Sequence, residues 1–263
     1  MESENRTAMV VKIEDTRLVE PLFHNWQETL ISSCLQNSMG EIYGNSIEMP
    51  LSAMAVLGDF CFFAGAPDEE LVMYKPEGNT KNFIIMVPQN DNWASTIVQC
   101  YGDKAKRVTR YAFKKEQNVF CKEKLQEVVN SLSSEYSLKI IDEEIFQLCR
   151  SSDWSMDLVS QFKDYEMYRD LGIGVAILKN GALVAGASSY SRYEDGIEIE
   201  IDTKYEYRRR GLAYVSGAKL ILECLKRNLY PSWDAQNKWS AALAEKLGYH
   251  LDYEYPAYEI WGY

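Results

Sequence analysis

Arg208-Arg209-Arg210-Gly211-Leu212-Ala213 lies between a strand-like run and a long helix-like run, and that placement gives it chemistry. A helix N-terminus exposes backbone N–H groups that no helical carbonyl accepts, together with a partial positive charge, so it holds phosphate. Gly211 removes the side chain where a pyrophosphate must approach the backbone, and the arginines add charge beside it. Three adjacent arginines alone leave two alternatives open: an ordinary basic loop with a packing glycine, or a short import-like basic run.

A second group stands just upstream. In Ile197 to Thr203 the alternation of a strand puts Glu198, Glu200 and Asp202 on one face and Ile197, Ile199 and Ile201 on the other. In a sheet covered on both faces, three carboxylates on one face must look at an open cleft, at the other half of the chain, or at solvent. Other chemistries have less to work with. His24 and His250 are the chain's two histidines, neither beside a nucleophile motif, so a His-dependent triad is not expected. Cys34, Cys61, Cys100, Cys121, Cys149 and Cys224 are never spaced C-x-x-C, so a metal site is not expected either, and buried reduced thiols fit them best.

The elements that position these groups follow from periodicity. Ser137 to Ile141 reads as a strand, Asp142 opens a short helix, and a second helix covers Met156 to Tyr168. Gly172 to Lys179 and Ala182 to Ser191 form a hairpin on Asn180-Gly181, whose two residues tolerate positive φ. Ile197 to Thr203 is the next strand and Arg210 to Arg227 a long amphipathic helix. Tyr230 to Ala235 is a strand, Lys238 to Leu247 a helix, and Tyr249 to Tyr263 a hairpin turning near Pro256. The first half is α/β as well, with a helix over Leu18 to Leu35, strands at Asp59 to Ala64 and Asn82 to Val87, a helix over Asp91 to Tyr101, a strand over Arg107 to Phe113 and a helix over Asn118 to Leu132. Arg107, Arg110, Lys114 and Lys115 read as an exposed strand edge. The polar stretch Asn130 to Glu135 is the expected boundary between domains 1–134 and 135–263. No internal sequence repeat links the two halves, and a second copy of one fold stays open.

Composition sets the class. With 46% hydrophobic and 25% charged residues the chain is a folded globular protein. A net charge of −11 argues against nucleic-acid binding, which needs a basic face, and suits either solubility or a cationic substrate. No apolar run approaches the roughly 20 residues of a membrane span. The N-terminus is polar and acidic, unlike a secretory signal, so a cytoplasmic location is expected.

At the basic loop the chain resembles the GNAT superfamily of acyl-CoA N-acyltransferases, whose cofactor loop reads [RQ]-x-x-G-x-[GA], here Arg208-x-x-Gly211-x-Ala213. Asn237-x-x-Ser240-x-x-Leu243, followed by Leu247-Gly248-Tyr249, is similar to the family's second motif, and the resemblance covers roughly Tyr136 to Tyr263. More narrowly, Ile199 to Thr203, Tyr230 to Ala235, Ala244 to Tyr249 and Gly58 to Gly65 resemble a bacterial subgroup that includes the zwittermicin A resistance acetyltransferase.

The resemblance implies a GNAT-like mixed sheet flanked by helices, with an α/β accessory N-terminal domain. It implies acetyl-CoA as acyl donor and a small-molecule primary amine as acceptor, joined by direct transfer in a ternary complex. Backbone groups of Ile201, Asp202 and Thr203 would bind the pantetheine arm. Arg208 would lend charge, and the N–H groups of Arg209, Arg210, Gly211, Leu212 and Ala213 would cradle the pyrophosphate. Asn237 and Ser240 would contact the arm from across a cleft, Asn237 alternatively serving as a helix N-cap. Glu198 and Glu200 share the candidacy for the base that takes the amine's proton. Many family members place a tyrosine acid seven residues after the asparagine; here that position is Ala244, and Tyr249 reads as structural. The alternative is an acyl-CoA-binding sensor or interaction module without turnover.

Overall fold

The computed structural model of the chain describes residues 10–263. In chain order the elements begin β1 (Val11–Lys12), α1 (Thr29–Leu35), β2 (Glu41–Gly44), β3 (Ser52–Leu57), β4 (Phe60–Gly65), α2 (Glu69–Met73), β5 (Phe83–Pro88), α3 (Asp91–Tyr101) and β6 (Ala105–Phe113). They continue α4 (Lys122–Asn130), β7 (Ser137–Ile140), α5 (Glu143–Arg150), α6 (Asp153–Met156), α7 (Tyr165–Leu171), β8 (Gly174–Lys179), β9 (Ala182–Tyr193) and β10 (Gly196–Thr203). The chain ends α8 (Leu212–Lys226), β11 (Tyr230–Ser232), β12 (Asp234–Ala235), α9 (Lys238–Leu247) and β13 (Leu251–Trp261). Two compact units result, one running up to Thr109 and taking back Tyr255–Tyr263, the other Arg110–Glu254.

In the second unit, β7, β8, β9 and β10 form an antiparallel series, and β11 joins β10 in parallel. Asn180 (φ 51°) and Gly181 (φ 81°) both take positive φ at the β8–β9 turn, as their types require. Helix α8 covers one sheet face: Leu220 and Cys224 pack with Val175, Ala187 and Ile197, and Leu212 and Val215 with Ile177 and Val184. Gly217 permits this approach, since a Cβ there would stand 3.1 Å from Ile201 Cδ1 and 2.9 Å from Leu247 Cδ1.

The first unit repeats the plan. Strands β1, β2, β3 and β4 pair antiparallel in sequence, and β5 joins β4 in parallel. The order strand, helical segment, three strands, helix, strand, helix is common to both units, the second carrying three short helices after β7 and the added strand β12 before α9, and the pairing directions agree. One fold is therefore present twice, although no sequence repeat announces it. Among the described residues no helix is long and apolar enough to cross a membrane.

Several elements differ from the sequence reading. The expected helix over 18–35 is broken: Pro21 opens a 3-10 turn, Asn25 takes φ 63°, and α1 starts at Thr29. The helix expected over 156–168 becomes α6 and α7 joined by a turn, each with its own N-terminal polar residue, Ser152 and the capping Asp164. The C-terminal hairpin is a single strand, β13. Pro256 has no Gly or Asn partner to turn the chain, and Tyr258 to Trp261 pair straight along Met86 to Phe83. The units divide at Thr109/Arg110 rather than at 134/135. Leu125 of α4 is buried with Leu222 of α8, and Val128 packs beside it, so residues 110–134 go with the second unit.

Candidate active site

The β10–β11 pair is short. Gly196, Ile197 and Glu198 match Tyr230, Pro231 and Ser232, and there the shared ladder stops. Past Trp233 the chain changes partner, and Asp234 and Ala235 pair with Ala112 and Tyr111 of β6. From Ile199 to Thr203, β10 keeps β9 on one side and faces a cleft on the other. A bulge on β9 at Tyr190 sits at this point, between the rungs Glu198↔Ser191 and Ile199↔Ser189, and increases the local twist.

The ladder decides which backbone groups look into the cleft. Lys204 N–H donates to Val184 O at 2.9 Å. Strand alternation then assigns the backbones of Asp202 and Glu200 to β9, and those of Ile199, Ile201 and Thr203 to the open edge. Asp202 was expected to offer its backbone; instead its carboxylate reaches that edge, Oδ1 accepting from Thr203 N–H at 2.9 Å. The Thr203 carbonyl accepts from Arg208 Nε at 3.1 Å, while Thr203 Oγ1 is buried with no hydrogen-bond partner.

At the cleft's end the chain makes the expected loop and helix start. Arg209 (φ 62°) and Gly211 (φ 79°) both adopt left-handed backbone, an arrangement that gathers successive N–H groups into an anion-binding concavity. Gly211 is the N-cap of α8 and supplies no side-chain cap, so the first N–H groups of the helix look outward. A Cβ on Gly211 would meet nothing within 4 Å, which leaves room for a ligand against the backbone. The Arg208 and Arg210 guanidinium carbons stand 5.5 and 5.0 Å from the ring centroids of Tyr205 and Tyr207, which hold two exposed charges beside the loop. The concavity, the open space and the orphaned Thr203 hydroxyl together fit the phosphate end of an acyl-CoA.

The structure separates the two candidate bases. Glu198, on the last rung, is 7% exposed. It lies near Tyr193, Tyr230 and Tyr249, whose hydroxyl pKa values are raised by burial first and by this carboxylate in addition. Glu200 is half-buried on the open stretch. Burial, then the charges of Asp202 and Asp157, pushes its carboxyl up to about 8, against the Ile201 N–H bond and the Arg110 charge that pull it down. Burial likewise raises Asp202 to about 6. Asp157 follows α6, whose next residue Leu158 packs over Gly186 beneath Asp202. No sequence signal marked Asp157.

The opposite wall is built from Trp233 to Ser240. Asn237 caps α9, its Oδ1 accepting from Ser240 N–H at 2.9 Å, and Ser240 Oγ accepts from Trp233 Nε1 at 3.2 Å. Ala244 is fully buried, and Tyr249 OH donates to Pro231 O at 2.6 Å inside the core. Arg110 is not on an exposed edge: it is 7% exposed, with Nε 2.6 Å from Asp234 Oδ1. Both charges sit in apolar runs, Tyr111-Ala112-Phe113 and Trp233-Asp234-Ala235, and that context was the signal for a buried pair.

Among the described residues of the first unit there is no such opening. Strands β4 and β5 stay paired through Phe63↔Pro88, Gln89 N–H continues the ladder to Phe63 O, and Gln89 Oε1 accepts from Gly65 N–H at 3.1 Å. Where the second unit has its basic loop, Asp68 caps α2 and Glu69 and Glu70 fill the first turn, which repels phosphate.

Known proteins share this chain's sequence family and fold. A family model described as GNAT acetyltransferase matches residues 20–258, spanning both units. The uncharacterized N-acetyltransferase YdfB of Bacillus subtilis (strain 168) is 29% identical over 200 residues, covering 75% of this chain and 71% of YdfB. A GCN5-related N-acetyltransferase-like protein from Streptococcus suis 89/1591 superimposes with a TM-score of 0.89 at 45% identity, covering 94% of this chain and 98% of that one. A tandem GNAT protein from the clavulanic acid biosynthesis pathway shares the fold alone, with a TM-score of 0.55 at 10% identity, over 97% of this chain and 98% of its own. The chain belongs to the GNAT acetyltransferase family, whose enzymes use acetyl-CoA as acyl donor.

Proposed function

We propose that the chain moves an acetyl group from acetyl-CoA to a primary amine of a small molecule, both bound at once in the cleft of the second unit. The observation that carries this reading is the half-open β10, with Glu200 on its open stretch and the concavity of Arg209 to Ala213 at its end. The backbone N–H groups of Arg209 to Ala213 and the Thr203 hydroxyl bind the pyrophosphate. The open-edge groups of Ile199, Ile201 and Thr203 run along the pantetheine arm, with Asn237 and Ser240 on the far wall.

Glu200 is the base. With a carboxyl at about 8, it is partly ionised near neutral pH and well matched to a protonated amine. The carboxylate takes a proton from the ammonium, directly or through water, and frees the lone pair. Nitrogen then bonds to the acyl carbon as the C–S bond breaks, the sulfur keeping the bonding pair. The second nitrogen proton passes to water and the thiolate takes up one proton from water, because Ala244 offers no acid at the position where the family resemblance implies a tyrosine. Holding the two reactants together supplies most of the acceleration. Asp202 and Asp157 beside Glu200 favour a cationic acceptor. Resemblance to the zwittermicin A resistance subgroup directs the first acceptor panel to amine-bearing antibiotics. Six free cysteines suit the reducing cytoplasm.

The test is thiol release from acetyl-CoA over a panel of amines. Release that saturates with one amine class supports the reading; tight acetyl-CoA binding without release for any amine would favour a sensor.

A further inference from the structure

The far wall of the cleft hangs on little backbone. After Ser232 the chain leaves β10, and β12 holds it to β6 through the two rungs Asp234↔Ala112 and Ala235↔Tyr111. Asn237, which opens α9, follows two residues later. Across this junction Arg110 Nε lies 2.6 Å and Nη2 2.5 Å from Asp234 Oδ1, with the side chains 9% and 12% exposed. Trp233 on one side is tied to Ser240, and Asn237 on the other caps the same residue's N–H, so two hydrogen bonds cross-tie the segment from Trp233 to Ser240.

We propose that Arg110 and Asp234 are positioning residues for the acetyl-transfer site: their buried ion pair is the strut that keeps the far wall apart from β10 and in register for the acyl-CoA arm. The inference rests on reading the cleft as the acyl-CoA site. Its physical ground is that a buried pair contributes little net stability compared with well-packed apolar residues, yet fixes one arrangement of the chains that carry it. Directional bonds from a guanidinium to one carboxylate oxygen define where β12 sits on β6 in a way that a two-rung ladder does not. The pair touches neither the loop at Gly211 nor the ladder that ends at Thr203; apart from the far wall, its removal acts on the site only through the Arg110 charge, which pulls the Glu200 carboxyl down.

Single truncation leaves a buried charge without its partner and invites misfolding, so the test uses the apolar double variant Arg110→Met/Asp234→Leu in the full chain. Thermal unfolding, KM for acetyl-CoA, KM for the amine and kcat are measured beside wild type. The expected result is unfolding at or near the wild-type temperature, KM for acetyl-CoA raised about tenfold or more, and kcat, compared on the alkaline plateau where Glu200 is ionised in both proteins, changed much less, because the arm is bound alike in ground and transition states. A folded double variant whose KM for acetyl-CoA stays within about twofold of wild type overturns the strut, since a purely structural pair predicts that outcome. If the double variant does not fold, Asp234→Asn decides. That variant keeps an acceptor of the same shape but loses the charge, and the strut predicts a KM rise of about threefold or more where an unchanged KM refutes it. Saturable acetyl-CoA kinetics in wild type keep the two failures distinct. Their absence removes the site reading itself, and their presence with unaltered variants removes only the strut.

Discussion

The rung between Glu198 and Ser232 is the last that β10 shares with β11. Two residues further along β10, Glu200 lies on the stretch that this parting leaves without a second neighbouring strand. A closed sheet and a reactive cleft thus differ by one change of partner, made where Trp233 hands the chain from β10 to β6.

Gly211 carries the loop. It holds φ 79° and fronts empty space, so Gly211→Val adds both backbone strain, about 1–2 kcal/mol for a left-handed residue with a Cβ, and bulk where the pyrophosphate would lie. The fold should survive, because nothing packs there. Calorimetry should show acetyl-CoA affinity lost while thermal unfolding shifts by a few degrees. Wild-type affinity in this variant would remove the loop from the site.

Glu200 governs the pH dependence. Turnover should rise as pH climbs through about 8, where the carboxyl ionises. Glu200→Gln should lose that limb and roughly 10²- to 10⁴-fold in kcat, with a smaller effect from Glu198→Gln. Equal losses from the two variants would mean that the buried apex, not the open stretch, holds the base.

Stability follows the same groups in the opposite sense. Folded carboxyls at about 8 for Glu200 and about 6 for Asp202 lie above their ordinary values of 4.5 and 3.8. Folding therefore favours their protonated forms, and that contribution is fully present at low pH and fades as pH rises through the folded values. The ligand-free protein should lose unfolding temperature between about pH 4 and 8 from this source, and Glu200→Gln should flatten the decline. A variant profile parallel to wild type would show that Glu200 titrates normally.

Tyr249 tests the leaving-group step. Its hydroxyl is committed to Pro231 O in the core, so Tyr249→Phe orphans a buried carbonyl at a cost of about 1–3 kcal/mol. Unfolding temperature should fall while kcat holds. A large kcat loss at unchanged stability would make Tyr249 the acid after all.

Much of the second unit was legible because its signals are local: Asn180-Gly181 for a turn, alternating Ile and acid for β10, Gly211 before an amphipathic run for α8. Pairing partners were not legible. Tyr230 to Ala235 reads as one strand, and nothing in its residues tells that Ser232 and Asp234 belong to different neighbours. Arg110 reads as an exposed edge residue until the apolar run Tyr111-Ala112-Phe113 beside it is weighed, and the sequence does not show that its partner is Asp234, far along the chain. The first unit's repeat stayed hidden for the same reason: strand order and direction are shared, whereas the residues proposed to bind phosphate in one copy are replaced by Asp68, Glu69 and Glu70 in the other.

The central claim is that this chain holds one acyl-CoA site, in the second unit, and calorimetric titration with acetyl-CoA tests it most directly. The account predicts saturable binding in the micromolar range, about −8 kcal/mol, at one molecule per chain, abolished by Gly211→Val. Two sites per chain would contradict the closed first unit, and no binding at high micromolar acetyl-CoA would contradict the site itself.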